Sequence, residues 1–254
     1  MKQLPPNHQL VTTDDGSQTL FSERFQESCH SNSGARVETL LHYVEGCELK
    51  IKSQCNKHLT ILEVGFGLGL GFLTTLETLH DNFHFVSLEI DRELLEWFRK
   101  ENQEHPFLKK LQWISPVKLE ARTNDMSLTI LCGDARETLP FYCQYAHPQW
   151  DAIYQDAFSP KKNPTLWTQE WFELLKKYSA PDTLMSTYSS SASIRKAMLA
   201  AGWVLQKGAG FGKKRSSTRA SLIGVTNSAI LEQLSLSPVP ALRDDNIQEF
   251  LRDS

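Results

Sequence analysis

LTILEVGFGLGLG, residues 59–71, is the stretch whose reading decides the fold. LTILEVG has the look of a buried strand, the glycines that follow make a turn, and FLTTLETL (72–79) continues as a helix. Glycines at such a strand-to-helix turn let the backbone bend tightly and approach a ligand where a Cβ would collide. Spacing then selects the ligand. A dinucleotide fingerprint needs GxGxxG, yet the sixth position is Leu70 counted from Gly65 and Phe72 counted from Gly67. The pattern is instead ExGxGxG, opening at Glu63. An acidic residue ahead of the glycines suits a ligand with a cationic amino-acid end better than a pyrophosphate, which points to S-adenosylmethionine.

Outward from this turn, strand and helix alternate, the signature of a parallel sheet. FHFVSLEI (83–90) is the second strand, with Asp91 as N-cap of RELLEWFRK. LTILCGDA (128–135) is the third strand, WDAIYQDAF (150–158) the fourth and TLMSTYS (183–189) the fifth. Helices are expected over about 166–178 and over SIRKAMLAAG, stopped by Gly202, and a closing hairpin is expected between WVLQKG (203–208) and ASLIGVTN (220–227). Ahead of the sheet, HQLVTT and QTLFSE flank Asp14-Asp15-Gly16-Ser17, a hairpin signal, and Val37, Leu40, Leu41 and Val44 recur at helical spacing before Gly46. The expected fold is α/β: a Rossmann-like class I methyltransferase dependent on S-adenosylmethionine, with a mostly parallel sheet and a small N-terminal extension. The expected divisions are a hairpin-and-helix extension (1–58), the methyltransferase domain (59–235) and a C-terminal tail (236–254) that forms a short amphipathic helix or a frayed end.

Ligands of open α/β sheets bind beyond the carboxyl ends of the strands, so acidic strand ends converge on one crevice. Glu89 lies twenty residues after Gly69, where a carboxylate can accept both ribose hydroxyls. Asp134 and Ala135, at the third strand end, are candidates for the adenine amino group. The cofactor set is completed by Glu63, Gly65, Phe66, Gly67 and Gly69. Asp156, ending the fourth strand, falls beside the transferable methyl group. Methyl transfer is an in-line displacement, so alignment is the main demand, and an amine acceptor must first be neutral. A carboxylate there can orient the amine and receive a proton. Phe158 and Trp167 are candidates to border the acceptor pocket, with core packing the competing reading for Trp167.

The chain has 254 residues, 40% hydrophobic and 22% charged, a size that suits one large domain with small elaborations. Five cysteines without a CxxC pair argue against a disulfide framework or a zinc site. No apolar run reaches the ~20 residues of a membrane span and the first residues lack a signal core, so a cytoplasmic protein without membrane contact is expected. The net charge of −3 gives no global signal for nucleic acid. Local basic clusters do: Lys161 and Lys162 follow Asp156, and Lys213, Lys214, Arg215 and Arg219 punctuate GFGKKRSSTR, where they can meet RNA phosphates.

These segments resemble a known family, the methyltransferases of 5-methylaminomethyl-2-thiouridine biosynthesis in tRNA (MnmD, equivalent to the N-terminal half of bifunctional MnmC). The similarity runs from DGSQTLFSERFQESCHSNSGA through ILEVGFGLGLGFL, GDARETLP and DAFSPKKNPTLW to GAGFGKKR, which is most of the chain. The resemblance implies methylation of the amine of 5-aminomethyl-2-thiouridine at the wobble position, with tRNA as partner and S-adenosylmethionine as donor, without metal or flavin. It implies Asp156 as the active-site residue and Glu27 as an N-terminal acidic residue near the cofactor. A monomer or weak dimer is expected. An aminopropyltransferase of the spermidine synthase type shares the glycine turn, the acidic strand ends and the late Asp. A non-catalytic RNA-binding module on the same fold would not need the acidic positions, and an NAD dehydrogenase fails on spacing.

Overall fold

A computed structural model of the chain describes residues 4–13, 16, 18–29, 34–55, 58–210 and 216–252. Its centre is a nine-stranded sheet. Five strands run parallel: β4 (Leu59–Val64), β5 (Phe83–Glu89), β8 (Met126–Cys132), β9 (Trp150–Gln155) and β10 (Ser179–Thr187). They lie side by side as β10-β9-β4-β5-β8. The chain first winds from β4 through β5 to β8, then returns to the other side of β4 for β9 and β10, which makes β4/β9 the switch point where such sheets bind ligands. β6 (Gln112–Ser115) and β7 (Lys118–Arg122) add an antiparallel hairpin at one edge, and β11 (Val204–Gly208) with β12 (Ser217–Ser221) does so at the other.

Alternation along the buried strands feeds two cores. Leu62, Val64, Val86, Leu88 and Ile153 face a core that holds Trp150, Trp167, Trp171 and Trp203. Ile61, Phe85 and Tyr154 face a second core with Phe66, Phe72, Phe83 and Phe98. Sheets covered on both faces need near-continuous apolar strands, and every residue of β8 and β9 is buried. The two polar residues of β9 are matched: Asp151 accepts from Thr60 N–H at 2.8 Å, and Gln155 donates to Leu166 O at 2.7 Å while accepting from Trp171 Nε1 at 3.1 Å.

Helix α3 (Leu70–Leu79) leaves the glycine turn, α4 (Arg92–Glu101) is capped as expected by Asp91, and α6 (Gln169–Lys177) is capped by Thr168. α5 (Ala135–Ala146) follows β8, and α7 (Ala192–Ala200) ends before Gly202. The N-terminal hairpin pairs β1 (His8–Thr12) with β2 (Gln18–Ser22), and β2 also pairs with the short β3 (Glu27–Ser28). Asp14, Asp15 and Ser17 of its turn lie outside the described residues. The helix expected over 37–44 is split. Helix α1 (Ala35–Thr39) opens into a wide π-helical turn, Leu40–Glu45, before α2 (Leu49–Ser53).

The strand expected over 220–227 lies earlier, at Ser217–Ser221. A polar strand is tolerated there because Arg195 of α7, only 2% exposed, donates to Thr218 Oγ1 at 2.9 Å and to Ser217 O at 3.1 Å. Arg219 therefore sits in β12 and pairs with Glu48. The apolar residues after it fold back along β11, and Asn227 caps α8 (Ser228–Ser235). The tail docks through Leu242, which is buried in the first core, and ends in α9 (Ile247–Arg252).

Gly71 in the first turn of α3 lies against β4, and a Cβ there would overlap Glu63 Oε1. Gly→Ala inside a helix ordinarily gains up to ~1 kcal/mol. Gly71→Ala is expected to have the opposite sign, losing about 1–3 kcal/mol by overpacking, as read from chemical denaturation midpoints.

Candidate active site

At the carboxyl ends of β4, β5 and β9 lies a cavity of about 340 Å³. Glu63, Gly65, Phe66 and Gly67 form one wall, Glu89 and Asp91 a second, and Asp156, Ala157 and Phe158 a third. The N-terminal segment closes the site with Phe25, Glu27, Cys29, Glu38, Thr39 and Tyr43. The volume falls in the range of small-molecule sites, roughly 300–1,000 Å³.

The glycine turn brings backbone rather than side chains to this space. Gly65 and Gly67 have φ of 98° and 52°. A Cβ on Gly65 would come within 2.7 Å of Asp156 O. Glu89 is held at the crevice by backbone donors, Gly67 N–H at 3.0 Å and Asp91 N–H at 2.9 Å. Asp156 is fixed by its own N–H, which donates to Val64 O at 3.1 Å, and its Oδ1 accepts from the Tyr43 hydroxyl. Glu27 reaches across to the loop after β9, accepting from Ser159 N–H at 3.1 Å and from Ser159 Oγ at 2.6 Å. The rings of Phe25 and Phe158 stack at 4.5 Å beside it.

Of the residues singled out from sequence, Glu27, Glu63, Gly65, Phe66, Gly67, Glu89, Asp156 and Phe158 thus share one cavity. Others are placed differently. Gly69, with φ 69°, begins α3 and is packed against Phe66 and Phe98. Asp134 is exposed and caps α5 by accepting from Arg136 N–H at 2.8 Å, and Ala135 is the first residue of that helix; neither lines the cavity. Lys161 lines a neighbouring cleft with Ser191 and Pro238, and Lys162 is exposed. Trp167 belongs to the core, its Nε1 donating to Phe158 O at 2.8 Å. Lys213, Lys214 and Arg215 lie outside the described residues. Tyr43, Tyr188, Phe25 and Cys29 are lining residues that the sequence reading missed. Phe25 stands two positions before Glu27 and Tyr188 directly follows β10, so adjacency to acidic and strand-end positions was their only local signal.

Six carboxyl groups line the cavity, from Glu27, Glu38, Glu63, Glu89, Asp91 and Asp156, and the described lining holds no Lys or Arg. Burial pushes Glu63 well above the usual carboxylate range, aided by Asp156 and Glu89 and opposed by the Ser87 hydroxyl, which donates to it at 2.6 Å. Glu89 is also raised, by burial, against its backbone donors. The Cys29 thiol is pushed up to about 12 by burial and by the charges of Glu89 and Asp156, so it remains protonated. An acidic, partly enclosed cavity of this kind suits a cationic ligand.

Glu63 gives the ligand-free protein a pH signature. Its folded form keeps its proton to higher pH than the unfolded chain, whose value is near the ordinary 4.5. Between the two values the folded state binds more protons, so stability falls as pH rises from about 4.5 through the folded value. Glu63→Gln is expected to flatten that fall, measured by denaturation across pH; an unchanged slope would place the buried charge elsewhere.

Comparison with known proteins agrees with this geometry. The family described as S-adenosyl-L-methionine-dependent methyltransferase matches residues 96–223. The tRNA 5-methylaminomethyl-2-thiouridine biosynthesis bifunctional protein MnmC of Aromatoleum aromaticum is 33% identical over 226 residues, covering 83% of this chain and 34% of that protein. The protein of the same name from Ralstonia nicotianae is 32% identical over 235 residues, covering 86% of this chain and 34% of its own length. The chain therefore spans about a third of the length of these curated relatives. The crystal structure of MnmC2 from Aquifex aeolicus superposes with a TM-score of 0.77 at 29% identity, covering 97% of this chain and 83% of that one. With half of its residues matched by that family and a glycine-turn cavity at the sheet's switch point, the chain belongs to the S-adenosyl-L-methionine-dependent methyltransferases.

Proposed function

We propose that this chain methylates the amine of 5-aminomethyl-2-thiouridine at the wobble position of tRNA, giving 5-methylaminomethyl-2-thiouridine. The observation that carries the reading is Asp156, held at the end of β9 inside the acidic cavity that the glycine turn opens. The relatives named for biosynthesis of that nucleoside support the choice of acceptor. The residues present fit the donor: Gly65 and Gly67 leave room for close backbone approach, Glu63 stands beside them, and Glu89 is aimed by two backbone N–H groups. Glu89 would take the ribose hydroxyls, and Glu27, Glu63, Phe66 and Gly69 would shape or support the donor site, with the adenine edge extending beyond the cavity's described lining toward Asp134 and Ala135. The donor supplies a methyl group on a sulfonium, and the C–N bond forms as the C–S bond breaks, its electron pair remaining on sulfur.

Asp156 acts on the acceptor. An ammonium has no lone pair, so Asp156 attracts the amine by charge, aligns it and accepts or relays its proton. Phe158, stacked on Phe25, offers the uridine a ring at the cavity edge. Lys161 and Lys162, in the loop that carries Phe158, would meet tRNA phosphates outside the acidic cavity, and Lys213, Lys214 and Arg215 would add to the phosphate contacts. The same reading takes residues 1–58 as an extension that completes the site, 59–235 as the methyltransferase domain and 236–254 as its tail. It describes a cytoplasmic monomer or weak dimer working without metal or flavin.

The decisive assay is single-turnover methylation of tRNA carrying the aminomethyl group, at saturating donor and across pH. Asp156→Asn is expected to lose on the order of 10²–10⁴-fold at neutral pH and to recover in part as rising pH supplies neutral amine. A wild-type rate in that variant would return Asp156 to the role of an ordinary loop residue. Turnover with decarboxylated donor instead would identify an aminopropyltransferase.

Binding of tRNA is expected to weaken steeply with salt, with a log–log slope of about −0.7 to −0.9 per phosphate neutralised. Replacing Lys213, Lys214 and Arg215 together by Ala should flatten the slope while donor binding is retained. An unaltered slope would put the RNA surface elsewhere.

A further inference from the structure

Asp156 is restrained twice, and the second restraint comes from a distant part of the chain. Its backbone is set by the donation to Val64 O and by the close approach of Gly65. Its side chain is met by Tyr43, 113 residues earlier, whose hydroxyl donates to Oδ1. Tyr43 is 2% exposed, its ring lies 5.2 Å from that of Tyr154, and it lines the cavity.

The direction of Tyr43 follows from the wide turn that carries it. In a regular helix each residue rotates the next side chain by about 100°, so a turn widened to the π form re-aims every residue within it, and such turns recur at functional sites. Here the turn is stitched in place. Ser186 of β10 donates to His42 O, and Gly46 passes so close to the same carbonyl that a Cβ would overlap it. The turn is thus tied to β10, which pairs with β9, and the Tyr43 hydroxyl meets Asp156 from this frame.

We propose that Tyr43 is the positioning residue of the reaction, its hydroxyl fixing the rotamer of the Asp156 carboxylate toward the acceptor amine. This rests on the role given to Asp156 above. The described groups that face Asp156 include Tyr43 from the wide turn, Glu63 from β4, Tyr188 following β10 and Cys29 from the N-terminal segment. A hydroxyl that donates to a carboxylate favours its charged form, and Tyr43 supplies such a donor here. The phenol is suited to it: burial, then the charge of Asp156, pushes Tyr43 well above its ordinary value, so it stays protonated and keeps donating. Without the donor, Asp156 would share an acidic cavity with other carboxyls and would more readily take up a proton, and a neutral carboxyl neither attracts an ammonium nor accepts its proton.

The test compares Tyr43→Phe with Tyr154→Phe. Both remove a buried phenol hydroxyl from the same aromatic cluster, but Tyr154 meets Thr75 Oγ1 at 2.9 Å and does not line the cavity. Two readouts are taken: single-turnover methylation at saturating donor, and ¹³C NMR titration of the aspartate carboxyl carbons, with the Asp156 signal assigned by its loss in Asp156→Asn. Tyr43→Phe is expected to slow transfer about tenfold and to raise the titration midpoint of Asp156 by about one pH unit relative to wild type, the shift expected on losing one donor to a carboxylate. Tyr154→Phe should alter neither. An Asp156 midpoint and rate at wild-type values in Tyr43→Phe, or equal changes in Tyr154→Phe, would overturn the proposal. Should Tyr43→Phe fail to fold, fluorotyrosine at position 43 strengthens the donor and must move the midpoint downward; no movement overturns the proposal equally. If wild-type protein does not methylate the tRNA, the functional reading fails while the NMR midpoint still decides the role of Tyr43.

Discussion

The passage of β4 against β9 at their carboxyl ends is the constraint on which the rest of the site depends. Asp156 N–H closes onto Val64 O, and the residue that follows β4 is Gly65, where no Cβ fits. That one crossing sets the depth of the glycine turn, the start of α3 and the position of the acidic residue that ends β9. It also forces Glu63 under α3, where only Gly71 leaves room for its carboxyl group. The buried acid, the bare helix turn and the strand-end Asp are three consequences of one close approach.

Around this crossing the N-terminal segment is a structural part of the cavity. Glu27 holds the amide and hydroxyl of Ser159, Phe25 stacks on Phe158, and Tyr43 grips Asp156. Each contact lands on the loop between β9 and α6, which carries the catalytic candidate. Hydrogen bonds to charged groups contribute roughly 1.5–3 kcal/mol each, and stacked rings add about 0.5–1.5 kcal/mol. A few such contacts are enough to hold a loop in one conformation. The extension therefore orders the loop that carries Asp156 and Phe158 as well as covering it.

Charge is divided by location. Inside, six carboxyl groups and no described Lys or Arg make an acidic lining that suits a cationic ligand. Outside, the lysines of the loop after Asp156 are exposed. A nearly neutral total charge conceals this separation, which is why composition alone carried no signal for either ligand.

The parallel sheet, the strand-end acids and the glycine turn were legible along the chain because each is a local pattern: apolar runs of strand length, a carboxylate at the end of each of the first four runs, and glycines at a spacing that excludes a dinucleotide. The caps Asp91 and Gly202 were legible for the same reason. What lay beyond reach needed partners distant in sequence. The polar strand Ser217–Ser221 forms because buried Arg195 supplies its missing donors, and the apolar run after it, which looked more like a strand, turns away. Asp134 appeared equivalent to Glu89 by position, yet it caps α5 outside the cavity, since a strand end reports depth in the sheet and says nothing about the rotamer beyond it. Tyr43 looked like one more position of an amphipathic helix. Only the folded chain, by widening that helix and tying it to β10, decided that its hydroxyl would meet Asp156. The sequence by itself determined the sheet and the acids at its edge through local periodicity; the tertiary structure decided which of those acids are held, and by what, because hydrogen-bond geometry depends on elements that the chain brings together only after folding.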